Sequence, residues 1–458
     1  MSLVPSARLL AHGIGGVQDL PVPRWLFYWG GAAVLVASFV ALGVLWREPQ
    51  LARRAGGLAL PRRLSRLVLG PGRVVAQAAS AALFALVFAA ALLGSTDPLE
   101  NLAPTWVYVA FWLGMPVLSI LFGNVWRAFS PWRALADAFV WAWERSGREA
   151  RPLAVYPERY GRLPGAAALF AFAALELAYA DPSGPRALAF AIALYTYITL
   201  FGMAAFGRET WSGRGEGFAI LFAYLARMSP LAARDGRLSL RPPLAGLGGS
   251  ESLAGSVPFI AVALGTVGFD GFSRTTTWQD LLARVEAPYV VDRPGLGEIV
   301  ATGLNLAGLL GAVAIVGLAY LGACALARWT VNAPRTLAHE FTLSLVPIAF
   351  VYEVAHYFSL FVLQGQFLAP LLSDPLGKGW DLLGTADVAP NLAALTPNTI
   401  WYVQAAALVL GHVAGLAVAH DRAVAIFAAR TDALRSQYAM LALMVLYTVA
   451  GLWLLSRG

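Results

Sequence analysis

An all-α bundle of about ten membrane-crossing helices is the fold this sequence predicts, for a hydrocarbon core about 30 Å thick. Three observations predict it. Of 458 residues, 59% are hydrophobic and only 13% charged, with a mean hydropathy of +0.65, which is not the balance of a soluble enzyme. Long apolar runs recur along the whole chain, and positive charge, all arginine apart from Lys378, is concentrated in alternate connections.

The elements follow in order. Apolar runs lie near residues 25–46, 74–94, 104–123, 165–180, 187–206, 255–269, 299–327, 336–363, 399–420 and 437–456, and most are long enough to span. The stretch "EGFAILFAYLARMS", 216–229, is too short to span comfortably and reads as a helix lying at the interface. These runs divide the chain into an outward tail (1–23), a first helical half (24–206), a cytoplasmic interfacial helix and linker (207–254), and a second helical half (255–458), each half with about five spans. Within the linker, "RPPLAGLGGSES" at 241–252 reads as flexible.

Arginine fixes the orientation. "WREPQLARRAGGLALPRRLSRLVLGPGR" at 46–73, the region from Arg127 to Arg162 and the region from Arg208 to Arg241 are rich in it and are expected on the cytoplasmic side. "STDPLENLAP", "ADPSGP" and the 364–398 loop are neutral or acidic and fall outside by alternation. Ten spans with both termini outside satisfy this bias, in a bacterial inner membrane. The net charge of +7 is therefore a topology signal, and no nucleic-acid partner is expected. "MSLVPSARLLAHG" has the look of a signal-peptide tail, but its apolar patch is too short, so a short translocated tail is expected. In "GNVWRAFSPWRALADAF", 123–139, two Trp-Arg pairs read as an anchor at the headgroups. The single cysteine, Cys324, reads as a packed core thiol, and no Walker loop, GxSxG elbow or CxxCH sequence is present.

Chemistry is signalled by histidine. Of five in the chain, four follow residue 338: His339 and His356 on one apolar segment, His412 and His420 on the next. A rise of 1.5 Å per residue places Glu353 and His356 about 25 Å above His339, in the outer third of the membrane. An outer layer would gather Tyr352, Glu353, His356, Gln364, Gln366 and Gln404 with Glu176, Asp270 and, from the tail, His12. Residues 353 and 356 are three apart and project from one helical face, so a carboxylate and an imidazole there can ligate one divalent metal, with Asp270, Glu176 or Gln404 as third ligand. The bland alternative is an internal pair that only fixes packing, but a carboxylate at that depth costs a few kcal/mol, about 2.5–3.5 on insertion scales, which argues for function. An inner layer of His339, His412 and His420 lies nearer the cytoplasmic rim, where a solvated or structural role is expected for His339 and His420. His412 is deeper, and a hydrogen bond to a neighbouring helix competes there with a functional role.

Four segments carry a resemblance: "AHGIGGVQDLPVPRWLFYWGGAAVLVASFVALGVLW", "FGNVWRAFSPWRAL", "GTVGFDGFSRTTTW" and "GHVAGLAVAHDRA". Together they resemble the bacterial integral membrane proteins named fenitrothion hydrolase. That resemblance implies hydrolysis of an organophosphorus triester, a lipophilic substrate that reaches its site through the bilayer. A metal held by Glu353 and His356 would activate water and polarise the phosphoryl oxygen. Two other readings stand beside it: a proton- or metal-coupled transporter using Glu353 and His356 as a relay, and a redox subunit in which His356 and His412 bind haem or copper. The partners implied are the bilayer, a small lipophilic substrate or an ion, and a further membrane subunit.

Overall fold

The structure, a computed structural model, describes residues 24–251, 253–289 and 292–455. The tail expected over 1–23, His12 with it, lies outside the described residues. Among those residues the chain is almost wholly helical, and nine helices are long and apolar enough to cross a membrane.

The principal helices are α1 (Arg24–Leu45), α2 (Arg73–Leu93), α3 (Leu102–Phe122), α4 (Pro131–Arg145), α5 (Leu163–Leu177), α6 (Pro185–Phe206), α7 (Arg208–Arg214), α8 (Gly217–Ala226), α9 (Ser256–Ser273), α10 (Thr276–Glu286), α11 (Pro294–Thr330), α12 (Val346–Gln364), α13 (Pro397–Ile426) and α14 (Tyr438–Leu455). Sequence sets several of their starts. Asn101, Ser130 and Thr396 each accept a backbone N–H with their side chain, and proline at the first turn follows Ser130 and Thr396.

Hydrogen bonds between connections sort the helix ends into two groups. At one end Leu60 N meets Leu238 O, Arg162 N meets Ala254 O, and Glu251 N meets His339 O. At the other, Ser95 N meets Leu376 O, Leu102 N meets Pro375 O, and Arg186 reaches Ala91 O and Gly94 O. The first is the arginine-rich end. α5 links the two, from Arg162 to the Pro182 carbonyl that Tyr108 bonds, despite having only 15 residues.

Burial separates core from rim. α9 and the segment containing α12 are buried along most of their length, whereas α11 and α2 are buried little. Leu310, Ile315 and Leu318 of α11 stand exposed, as residues facing hydrocarbon do. The two helices bearing Asp270 and Glu353 are thus the central ones, which is where a membrane protein keeps its ionisable groups.

Three expectations need correction. The helix expected at the interface over 216–229 is inside the protein: Phe218, Ile220, Leu221, Phe222 and Leu225 of α8 are all buried. α7 and α8 make a hairpin that enters from the arginine-rich end and returns to it. At its tip Glu216 accepts from the N–H groups of Phe218 and Ala219, from Trp126 Nε1 at 3.1 Å and from the Tyr195 hydroxyl at 2.5 Å. A helix start buried among helices must have its free N–H groups answered from within, and this carboxylate answers them.

The linker expected to be flexible is ordered over 241–251. It follows a hairpin of β2 (Leu231–Arg234) and β3 (Arg237–Leu240), turned at Asp235-Gly236 with positive φ at both, and β1 (Leu58–Ala59) pairs with β3 on the other side. The bundle therefore carries a small sheet that an all-α reading omits. Arg241 Nε and Nη2 donate to the Ser229, Ala226 and Arg227 carbonyls, and Ala245 and Leu247 are fully buried. The short strands have no hydrophobic alternation long enough to announce them.

The Trp-Arg pairs are not a headgroup anchor. Trp126 and Trp132 pack edge to face inside the protein with centroids 5.7 Å apart, and Arg127 and the buried Arg133 both pair with Glu209.

Candidate functional site

Three helices deliver one cluster near the end opposite the arginines. α5 supplies Glu176 one residue before its last, α9 supplies Asp270 in its last turn, and α12 supplies Glu353, His356 and Tyr357. α9 packs against both α5 and α12, so the three polar stretches meet. Glu176, Asp270 and Glu353 are buried, with side-chain exposure of only 1% at Asp270.

Asp270 is the hub. Its Oδ2 lies 2.6 Å from His356 Nε2 in an ion-pair contact and 2.7 Å from the Tyr357 hydroxyl. Arg274, one turn on, donates Nη2 to Oδ1 at 3.2 Å. The Tyr357 hydroxyl also lies 3.1 Å from Glu176 Oε1. A phenol has one proton to give. It goes to Asp270 at the shorter distance, and the contact with Glu176 is complete when Glu176 itself carries a proton and donates to the phenol oxygen. The arrangement therefore has a natural place for a proton.

Glu353 differs from the other two. Its Oε1 is buried with no hydrogen-bond partner. His356 meets Asp270, the two side chains 2.6 Å apart. Three carboxyl groups thus face one guanidinium and one imidazole.

Of the outer residues expected from sequence, Glu176, Asp270, Glu353 and His356 come together here. Gln404, half-buried on α13, makes no hydrogen bond with any of them. Tyr357 and Arg274 were not expected. Arg274 is legible in hindsight as the i+4 partner of Asp270 in "DGFSR", whereas a tyrosine next to His356 gives no signal of its own.

Among the described residues no group of three or more His, Cys, Asp or Glu side chains is arranged to hold a divalent metal. Asp270 is engaged by Arg274, Tyr357 and His356, and the phenol stands between it and Glu176.

The expected inner layer is not one site. His420 is buried, with Nδ1 3.3 Å from Gln437 Oε1 and Nε2 3.0 Å from the Trp46 carbonyl, and beside it Asp421 accepts from Trp46 Nε1 at 2.9 Å and from Leu51 N at 3.1 Å. Its role is structural, but it is not solvated. His339 is half-buried, its backbone carbonyl holding Glu251, while its neighbour Glu340 pairs with Arg422. His412 is apart from both, fully buried between the rings of Tyr352 at 5.7 Å and Tyr447 at 6.3 Å. A haem shared by His356 and His412 would have to displace those tyrosines and the Asp270 contact. Cys324 is a buried thiol in α11, as read.

No family model matches this chain, and no curated protein and no solved structure matches it either.

Proposed function

We propose that the chain is a multi-pass protein of a bacterial inner membrane that handles protons at the Glu176–Asp270–Glu353–His356–Tyr357 cluster, as the ion-coupling site of a transporter. The carrying observation is the surplus of buried carboxyl groups over cations, with one carboxyl oxygen, Glu353 Oε1, left without a partner. Buried acids elsewhere are met by guanidinium groups, as at Glu251, or by several N–H and O–H donors, as at Glu216. A surplus is stable at depth only if protons neutralise it, and protons that neutralise it can be exchanged.

The membrane arrangement that goes with this reading has ten spans, the nine long helices and α5, with the α7–α8 hairpin re-entering from the cytoplasm. The arginine-rich end is cytoplasmic, so both termini and the cluster lie toward the outer face. Its partners are the lipid bilayer and a small solute or ion.

A second reading is favoured by one contact. An imidazole oriented by a buried carboxylate, as His356 is by Asp270, is the arrangement of a general base, and the resemblance to fenitrothion hydrolases would have it activate water for attack on a phosphotriester. No step here is routed through a metal.

Sealed vesicles containing the purified protein and an internal pH dye test both. Proton entry down an imposed gradient, lost in Glu353→Gln and Asp270→Asn, is the expected result. Entry no faster than in protein-free vesicles, together with triester conversion by the same protein in detergent, would overturn the transport reading in favour of the hydrolase.

A further inference from the structure

His412 carries an argument that the outer cluster does not absorb. Its Nδ1 lies 2.8 Å from the Leu408 carbonyl of the preceding turn. A carbonyl can only accept, so Nδ1 bears the proton and the neutral ring is fixed in one tautomer. Nε2 then presents a bare lone pair, fully buried and with no hydrogen-bond partner. The two hydroxyls nearby are spent elsewhere: Tyr352 donates to the Tyr447 carbonyl at 2.7 Å, and Tyr447 reaches the Leu264 carbonyl at 3.4 Å. Tyr352 holds its place because residue 451 is glycine, where a Cβ would stand 2.3 Å from the hydroxyl.

An acceptor buried without a partner carries a desolvation cost, which a proton on Nε2 would change. We propose that His412 Nε2 is a second, deeper protonation site on the route from the outer cluster toward the arginine-rich end. This rests on the proton-handling reading. Tyr352, whose ring packs on His412, is one turn before His356, which puts the imidazole roughly 6 Å below the level of His356. A hydronium ion arriving there gives its proton to Nε2: an N–H bond forms, an O–H bond breaks, water is left and the ring becomes imidazolium. The rings of Tyr352 and Tyr447 flank that charge with centroids 5.7 Å and 6.3 Å away.

The titratable groups facing His412 are Tyr352 from α12 and Tyr447 from α14, with Glu353 the next residue along α12. α9 contributes the Leu264 carbonyl, and α1 meets α13 through apolar Val409 near Gly31 and through Trp46 at Asp421. Along α13 itself the nearest ionisable groups are His420 and Asp421, about two turns away.

The test is nitrogen NMR on the full chain in lipid, with histidine as the only labelled residue. Five histidines give five ring systems, and the signal lost in His412→Gln or, should that variant not fold, in His412→Phe assigns the one of interest. The expected result is a fixed Nδ1–H tautomer at high pH whose Nε2 signal moves to the protonated position as pH falls with the protein still folded. A ring that keeps one tautomer throughout, in protein that conducts protons into vesicles, overturns this inference and leaves the outer cluster standing. A ring that titrates in protein with no flux supports the site and counts against the proposed function.

Discussion

The two ends of the bundle use the same residue types to opposite effect. At the arginine-rich end Asp137 is held by Arg73 at 2.8 Å, by Arg208 and by Gln77, Glu251 lies between Arg162 at 2.8 Å and Arg227 at 3.3 Å, and Glu340 takes Arg422. Carboxylates there meet guanidinium groups, and the result is a rigid floor joining segments far apart in sequence. At the other end Glu176, Asp270 and Glu353 share Arg274 and His356. The comparison teaches that a buried acid is read by the groups that answer it, not by its burial. Acids met by guanidinium groups, or by several N–H and O–H donors as at Glu216, hold the fold, and the outer cluster has more carboxyl groups than cations to answer them.

The largest effect is expected at the hub. Asp270→Ala leaves Arg274 and His356 facing no carboxylate, and losing one partner of a buried pair costs about 3–5 kcal/mol. Unfolding in detergent should show that loss, and vesicles should show no proton entry. A variant as stable as the parent would mean that Asp270 does not organise the cluster.

Next in size is Glu251→Gln, which breaks the matched end instead. Burial pushes the Glu251 carboxyl up, and the guanidinium groups of Arg162 and Arg227 more than offset this, holding it below the usual carboxylate range. A carboxyl depressed in the folded state stabilises fully above its unfolded value of about 4.3, and that contribution is lost as pH falls through the depressed folded value. Parent protein should therefore lose stability in acid, below about pH 4, where the Gln variant, already less stable by roughly 3 kcal/mol, has no such contribution to lose. Proton entry should persist in this variant wherever it is folded. If it vanished, the two ends would not be separable in the way the comparison requires.

His420→Ala should cost about 1–3 kcal/mol, the penalty for unpairing Gln437 and the Trp46 carbonyl, and leave proton entry intact. Loss of entry at unchanged stability would move His420 from the floor of the fold to the proton route.

Much of this was legible in the sequence, for identifiable reasons. Composition and the length of apolar runs announce a helical membrane bundle because hydrocarbon tolerates little else. Depth along a helix is a fixed rise per residue, so Glu176, Asp270, Glu353 and His356 could be ranked to one layer before their helices were known to touch. Azimuth was not legible. Whether His356 faces Glu353 or Asp270, and whether Gln404 or Tyr357 joins the cluster, depends on which helices are neighbours. The α7–α8 hairpin was misread for a related reason: a short apolar helix has the same sequence whether lipid or protein surrounds it, and only the buried cap at Glu216 tells them apart.

Glu353→Gln is expected to have the smallest effect on stability, and it sharpens the comparison most. Glutamine has nearly the shape of a protonated glutamate and cannot lose the proton. If Glu353 sits neutral in the resting protein, the exchange alters no charge there, and the orphaned Oε1 keeps its surroundings with a change within about 0.5 kcal/mol. Proton entry should nonetheless stop, because the carboxyl in the cluster whose buried oxygen has no partner has become inert. A fold preserved and a flux abolished would separate the two kinds of buried acid in a single substitution. A fold lost with the flux would mean that Glu353 is ionised and matched after all.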